Sequence, residues 1–233
     1  MAKMNMAIRG IDANFGEHHE DTFFHDLHAN ERFDFIMANP PFNLKNWGQE
    51  QLQEDPRWQY GLPPAGNANF AWIEHMIYHL APGGKIGLVL ANGALSTQTG
   101  GEGEIRKRII EADLVEGIVA MPTQLFYSVT IPVTLWFISR GKKQKGKTLF
   151  IDARNMGHMV DRKHRDLSEQ DIERLASTFE KFQKGKLQDE KGFCAVVETA
   201  DIAKQDYILT PGRYVGIEDT VQDDETFAQK MTR

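Results

Sequence analysis

The chain has 233 residues, 41% hydrophobic and 26% charged, which is room for one α/β domain with a small appendage. A formal net charge of −6 argues against a chain that grips a polyanion unaided, so either its basic surface is local or a partner supplies much of the grip. No apolar run reaches the length of a membrane span, the N-terminus lacks a secretory apolar region, and Cys194 is the only cysteine; internal disulfides and cysteine-based zinc sites are excluded and a cytoplasmic location is expected.

In chain order, residues 2–11 read as the tail of a helix that stops at Gly10. A polar segment with His18, His19 and Glu20 leads to Asp21-Thr22-Phe23, where Asp21 can be a helix cap, a solvated loop acid or a functional carboxylate. Phe33, Phe35, Ile36 and Met37 then form a short buried strand, followed at once by Asn39-Pro40-Pro41-Phe42. A long polar loop, residues 44–66, carries Trp47, Trp58 and Tyr60, either as contacts to a base or as pins that hold the loop on the core.

Phe70, Ile73, Met76, Ile77 and Leu80 recur at helical spacing, with Asn67 or Asn69 as cap and Pro82-Gly83-Gly84 as stop. His75 and His79 stand one turn apart on this helix, but no third ligand is evident, so a solvated face is expected and no metal site. Residues 85–92 are a continuous apolar run, the signature of a buried parallel strand. A second helix–strand unit follows at 104–112 and 115–121, and this alternation argues a sheet covered on both faces. Gly100-Gly101-Glu102-Gly103 lacks the spacing of a phosphate loop, and its glutamates would repel phosphate; it reads as a flexible connection.

Residues 133–139 and 148–153 read as two strands paired antiparallel. Arg140, Lys142, Lys143, Lys145 and Lys147 crowd the turn between them, either touching phosphates or solubilising a hairpin tip. After Asn155 the pattern changes. Ser168 with Asp171 resembles an N-cap pair, and Ile172, Leu175, Phe179 and Phe182 line one face of a helix. A division follows: a catalytic core over 1–155 and an appendage for partner or DNA contact over 156–233.

The Asn39 turn carries the most chemistry. Each proline fixes its own φ and pushes the residue before it out of the α region, so Asn39 and Pro40 are held extended. An exocyclic amine on a purine is a poor nucleophile because its lone pair is delocalised into the ring. Two acceptors, the Asn39 side-chain oxygen and the Pro40 carbonyl, can take its two N–H bonds and stabilise the positive charge that grows on nitrogen during attack. Phe42 offers a flat face for a flipped-out base, a contact worth about 1–3 kcal/mol. The bland alternative is an Asn-Pro turn at a strand end. A cytosine-carbon mechanism needs a thiolate, and Cys194, which follows Phe193 rather than a proline, lies far along the chain.

Asn39-Pro40-Pro41-Phe42 resembles the catalytic motif of amino-directed, S-adenosylmethionine-dependent methyltransferases. The ordered set of Asp21-Thr22-Phe23, Asn39 to Phe42, Gly66-Asn67-Ala68-Asn69-Phe70-Ala71-Trp72, Leu125-Phe126-Tyr127 and Thr210-Pro211-Gly212-Arg213-Tyr214-Val215 resembles the modification subunit of type I restriction–modification systems over nearly the whole chain. The resemblance implies a Rossmann-like methyltransferase core with a C-terminal helical appendage, and methyl transfer from S-adenosylmethionine to adenine N6 in duplex DNA. It also implies partners: a DNA specificity subunit, a restriction subunit and a second modification subunit. By position in the family, Asn39, Pro40, Pro41 and Phe42 are catalytic. Asp21, Thr22 and Phe23, with Asn39, lie at the cofactor. Phe126 and Tyr127 lie near the base, and Lys142, Lys143 and Lys145 are candidate DNA contacts. The strand–Gly-x-Gly–helix unit of the family has no counterpart before Asp21, so the core is expected to be incomplete on its cofactor side. Two rivals remain open: a non-catalytic assembly or DNA-binding piece, and an amino-methyltransferase acting on a protein glutamine, whose relatives usually carry tyrosine where Phe42 stands.

Overall fold

The computed structural model describes residues 2–126 and 131–217. Six strands build one mixed sheet. β1 (Phe33–Ala38) runs parallel to β2 (Leu80–Ala91), and β3 (Val115–Ala120) parallel to β5 (Lys147–Asp152). β4 (Val133–Ser139) is inserted antiparallel between β2 and β3, and β8 (Cys194–Glu198) closes the far edge antiparallel to β5. β6 (His158–Met159) and β7 (Arg165–Asp166) form a separate two-stranded ribbon. The expected hairpin between 133–139 and 148–153 is therefore corrected: those strands do not pair, because β3 lies between them. An apolar strand states that it is buried, not which neighbour buries it.

One face of the sheet carries α2 (Asn69–Tyr78) and α3 (Glu102–Glu111). Phe70, Ile73 and Ile77 of α2 and Ile105 and Ile109 of α3 meet Ile86, Leu88 and Leu90 of β2 and Trp136 of β4 in one core cluster. Burying a side chain of this kind stabilises the fold by about 1.5–3 kcal/mol. Trp136 is fully buried, and its indole N–H donates to Thr134 Oγ1 at 3.2 Å, so the ring carries no unsatisfied donor inward. The other face carries α4 (Glu169–Gln183), whose Leu175, Phe179 and Phe182 pack over β3 and β5. Gly117 of β3 permits this: a Cβ there would meet the Phe179 ring at 3.0 Å. The Ser168 and Asp171 pair forms a capping box, with the Asp171 N–H on Ser168 Oγ at 3.1 Å and the Ser168 N–H on the Asp171 carboxylate at 2.9 Å.

The residues past 155 continue the same sheet and core. β8 extends the same sheet, α4 covers it, and Ala195, Ile202, Leu209 and Val215 belong to the main core cluster. Tyr214 stacks on Phe150 at 4.1 Å, and the Leu209 N–H donates to the Leu95 carbonyl at 2.9 Å. Polar loops interrupted the apolar pattern without interrupting the core. α5 (Thr199–Ala203) follows β8, and α1 (Ala2–Ile8) at the other end buries none of its side chains.

β1 was expected to be buried, yet Phe35 is 76% and Met37 91% exposed. β1 is an edge strand, and α4 does not reach that half of the face. Only Ile36 and Ala38, on the α2 side, pack against the core.

Candidate active site

The turn 39–42 leaves the C-terminal end of β1. Asn39 is exposed, Pro40 buried and Phe42 half-buried. Among the described residues no group bonds the Asn39 carboxamide or the Pro40 carbonyl, so both acceptors remain available. Asn39 borders a hollow of about 370 Å³ with Met37, Ala38, Gly87, Val89, Leu135 and Phe137 among its walls. Gly87 keeps part of that hollow open, since a Cβ there would meet nothing within 4 Å. Phe42 leans on the cluster that also holds Val89, Leu125 and Phe126.

Rigidity at this turn comes from α2. The Asn43 N–H donates to Asn69 Oδ1 at 3.0 Å, and Asn69 Nδ2 donates to Asn43 Oδ1 at 2.9 Å. Asn43 has φ 53°, a conformation asparagine tolerates better than most residues. The cap expected at Asn67 or Asn69 is corrected: the N-cap position falls on Ala68, which makes no side-chain cap bond, while Asn67 Oδ1 accepts the Asn69 N–H at 3.1 Å and Asn69 turns back to the 39–42 turn. The Ala68 N–H to the Leu44 carbonyl at 2.9 Å adds a second clasp. Asn43 and Asn69 were not singled out as site residues in the sequence. Their signal is two isolated amides, and only the fold reveals that they face each other.

The loop aromatics prove to be pins. Trp47 is buried, with its N–H on the Pro64 carbonyl at 3.0 Å, and Trp58 donates to the Leu52 carbonyl at 2.6 Å. Phe23 sits among them, 5.2 Å from Trp47, 6.3 Å from Trp58 and 4.3 Å from Trp72 between ring centroids. Phe23 is thus a core ring. Asp21 Oδ1 accepts the Phe23 N–H at 2.9 Å and the Phe24 N–H at 3.3 Å, the capping arrangement. The Thr22 carbonyl takes Arg57 Nη1 at 3.0 Å.

The β4 direction sorts the remaining candidates. Ala91, at the Asn39 end of β2, pairs with Val133, while Lys85 at the opposite end pairs with Ser139. The segment that carries Phe126 into β4 therefore lies at the Asn39 end of the sheet, and Phe126 is half-buried there. Tyr127 lies outside the described residues. The turn with Lys142, Lys143 and Lys145 lies at the other end of the sheet, away from the candidate amine clamp. Lys142 is buried in an ion pair with Asp113 and offers no phosphate a free ammonium, which corrects that expectation; Lys143 and Lys145 are exposed.

The solvated face expected at His75 and His79 is corrected as well. His79 is 3% exposed; its Nδ1 lies 3.0 Å from the Glu31 carbonyl and its Nε2 2.7 Å from Asp26 Oδ2. Burial, with His79 and Arg57 alongside, pushes the His75 imidazole down to about 4, and Arg57 Nη1 stands 3.1 Å from its Nδ1. On the same helix, burial pushes the Glu74 carboxyl up to about 8; its Oε2 accepts the Tyr60 N–H at 2.8 Å.

A parallel strand thus delivers Asn-Pro-Pro-Phe to the rim of a hollow on a half-covered α/β sheet. A model of the N-6 DNA methylase family matches residues 1–223, and the chain belongs to that family. It is 53% identical over 232 residues to the type I restriction enzyme HindI methylase subunit of Haemophilus influenzae, covering 99% of this chain and 52% of that protein. It is 46% identical over 235 residues to the MjaIX methylase subunit of Methanocaldococcus jannaschii, covering 96% and 41%. The type I methyltransferase subunit from Streptococcus thermophilus superposes with a TM-score of 0.82 at 26% identity, over 93% of this chain and 45% of that one. The EcoKI M protein shares the fold, with a TM-score of 0.70 at 15% identity over 94% and 52%. The chain spans about half the length of the curated relatives it matches.

Proposed function

We propose that this chain is the amine-clamping part of a modification subunit that methylates adenine N6 in duplex DNA within a type I restriction–modification complex. The observation that supports the reading is Asn39, with an unengaged side chain, beside an open hollow at the end of a parallel strand, and the unengaged Pro40 carbonyl next to it in the chain. The amine of an extruded adenine donates its two N–H bonds to these oxygens. As the new bond forms, charge builds on nitrogen, and two dipoles already in place stabilise it without reorganising. Phe42 stacks the base, and Phe126 borders the same apolar cluster.

S-adenosylmethionine is the methyl donor that the family resemblance implies. The described residues do not make its cradle by themselves: Asp21 spends a carboxylate oxygen on the Phe23 and Phe24 amides, and no described glycine-rich turn meets Asn39. No step is therefore derived through it. DNA, a specificity subunit, a restriction subunit, a second modification subunit and a cytoplasmic setting belong to the same proposal. They fit the net charge of −6 and the methylase-subunit names of the relatives.

The test is transfer of labelled methyl to DNA by the full-length protein with its specificity subunit, with N6-methyladenine read by mass spectrometry. Asn39→Ala should lose about 10²–10³ in rate. Undiminished methylation by that variant, or label found on cytosine or on glutamine, would overturn the reading.

A further inference from the structure

We propose that Asp26, His75 and His79 form a binding site for one divalent transition-metal ion of the zinc class, which ties the segment ahead of β1 to α2. The site is separate from the amine clamp and plays no part in methyl transfer as derived above.

The donor set supports it. His75 and His79 lie one turn apart on α2 and project to the same side, and Asp26 reaches them from the facing segment. One ligand atom from each residue lies within 4.8 Å of the others, the only such trio among the described residues. Two imidazoles and one carboxylate suit zinc-class ions rather than magnesium or calcium, which prefer oxygen. A cavity of about 280 Å³ adjoins the trio and gives a water room as the fourth ligand. Six of the eight histidines in the chain border this one cavity.

Orientation is also supplied. The Glu31 carbonyl can only accept, so His79 Nδ1 carries the hydrogen. His79 Nε2 faces Asp26 Oδ2 at 2.7 Å in a direct hydrogen bond, so these two ligand atoms already point at each other. A backbone carbonyl behind a ligating imidazole is the usual outer partner of such sites.

Two contacts must yield: the direct His79 Nε2–Asp26 Oδ2 bond, which the ion takes over, and the bond from Arg57 to His75. Arg57 Nη1 donates to His75 Nδ1, so metal bound by His75 requires that bond to open. Arg57 stays anchored without it, by both Asp55 oxygens and by the Thr22 and Phe23 carbonyls. Loading releases any proton that His79 shares with Asp26 to solvent. The ion replaces that proton as the bridge between the segment and the helix. The Phe33 N–H, which starts β1, donates to the His79 carbonyl at 2.8 Å, so the bridge lies where the strand begins.

The experiment uses untagged full-length protein stripped with a chelator, then titrated with zinc sulfate against a chromophoric competitor, and in parallel with cobalt(II) for its visible absorption. One equivalent of zinc, a cobalt spectrum of low coordination number and a raised Tm on loading are expected. Asp26→Asn, which keeps the shape of the side chain, should weaken binding by more than about tenfold. The double change His18→Ala with His19→Ala should leave both affinity and stoichiometry intact. If His79→Gln fails to fold, the wild-type titration and Asp26→Asn still decide. No saturable binding, or binding untouched by Asp26→Asn, or binding lost with His18 and His19, overturns the proposal; the last marks adventitious capture by loop histidines.

Discussion

Asn43 and Asn69 hold each other by both ends: the Asn43 amide N–H and side-chain oxygen meet the oxygen and nitrogen of the Asn69 carboxamide at 3.0 and 2.9 Å. This pair joins the residue just past Phe42 to the first residue of α2. It converts the position of a buried helix into the position of the 39–42 turn. Asn69→Ala leaves the Asn43 groups unpaired and should cost about 1–3 kcal/mol of stability. The methylation rate should fall more than substrate affinity does. A thermal melt with steady-state kinetics checks it, and unchanged kcat with lowered Tm would reduce the pair to a purely structural role.

Asn39 behaves in the opposite way. Its side chain is exposed and bonds nothing among the described residues, so Asn39→Ala should leave Tm within the range of a surface change, about 0.5 kcal/mol. Activity should nonetheless collapse. Denaturant unfolding run beside the methylation assay separates the two effects.

Lys142 and its neighbours separate stability from binding. Lys142→Ala strips Asp113 of a buried partner and should destabilise by about 1–3 kcal/mol, discounted because the Asp113 side chain keeps 26% of its exposure. Lys143→Ala and Lys145→Ala should leave Tm unchanged. DNA affinity, measured by anisotropy at fixed salt, should change little in all three if the turn lies off the DNA path.

Glu74 sits buried in α2 with its carboxyl held protonated into the neutral range, so an amide can replace it. Glu74→Gln keeps an acceptor for the Tyr60 N–H and should preserve or raise Tm. Glu74→Ala orphans that N–H and should lower stability by about 1–3 kcal/mol. The two melts, compared at pH 7, test whether the acceptor or the charge matters.

Tyr214 gives a pH signature. Burial pushes its phenol up to about 12, while an unfolded tyrosine titrates near 10. The folded state holds that proton more tightly, so its stabilising share is complete below pH 10 and is lost as pH rises toward 12. Ultraviolet titration of the phenolates should show one late tyrosine, absent in Tyr214→Phe.

Much of the site was legible because its chemistry is local. Asn39, Pro40, Pro41 and Phe42 are consecutive, and two prolines restrict the backbone wherever the strand goes. The capping box at Ser168 and Asp171 was legible for the same reason. The roles of Phe23 and Lys142 were not. A ring or an ammonium reads the same in sequence whether it meets solvent, a substrate or a tryptophan cluster, and only packing chooses.

What the chain dictates by itself is periodicity and stiffness: which segments are helix or strand, and a turn stiffened by two prolines. What only tertiary structure decides is adjacency. Inserting β4 antiparallel sends the lysine turn to one end of the sheet and Phe126 to the other, and folding 11–32 back onto α2 brings Asp26 to His75 and His79. Such neighbours are set by the sum of many weak long-range contacts, and no short stretch of residues encodes that sum.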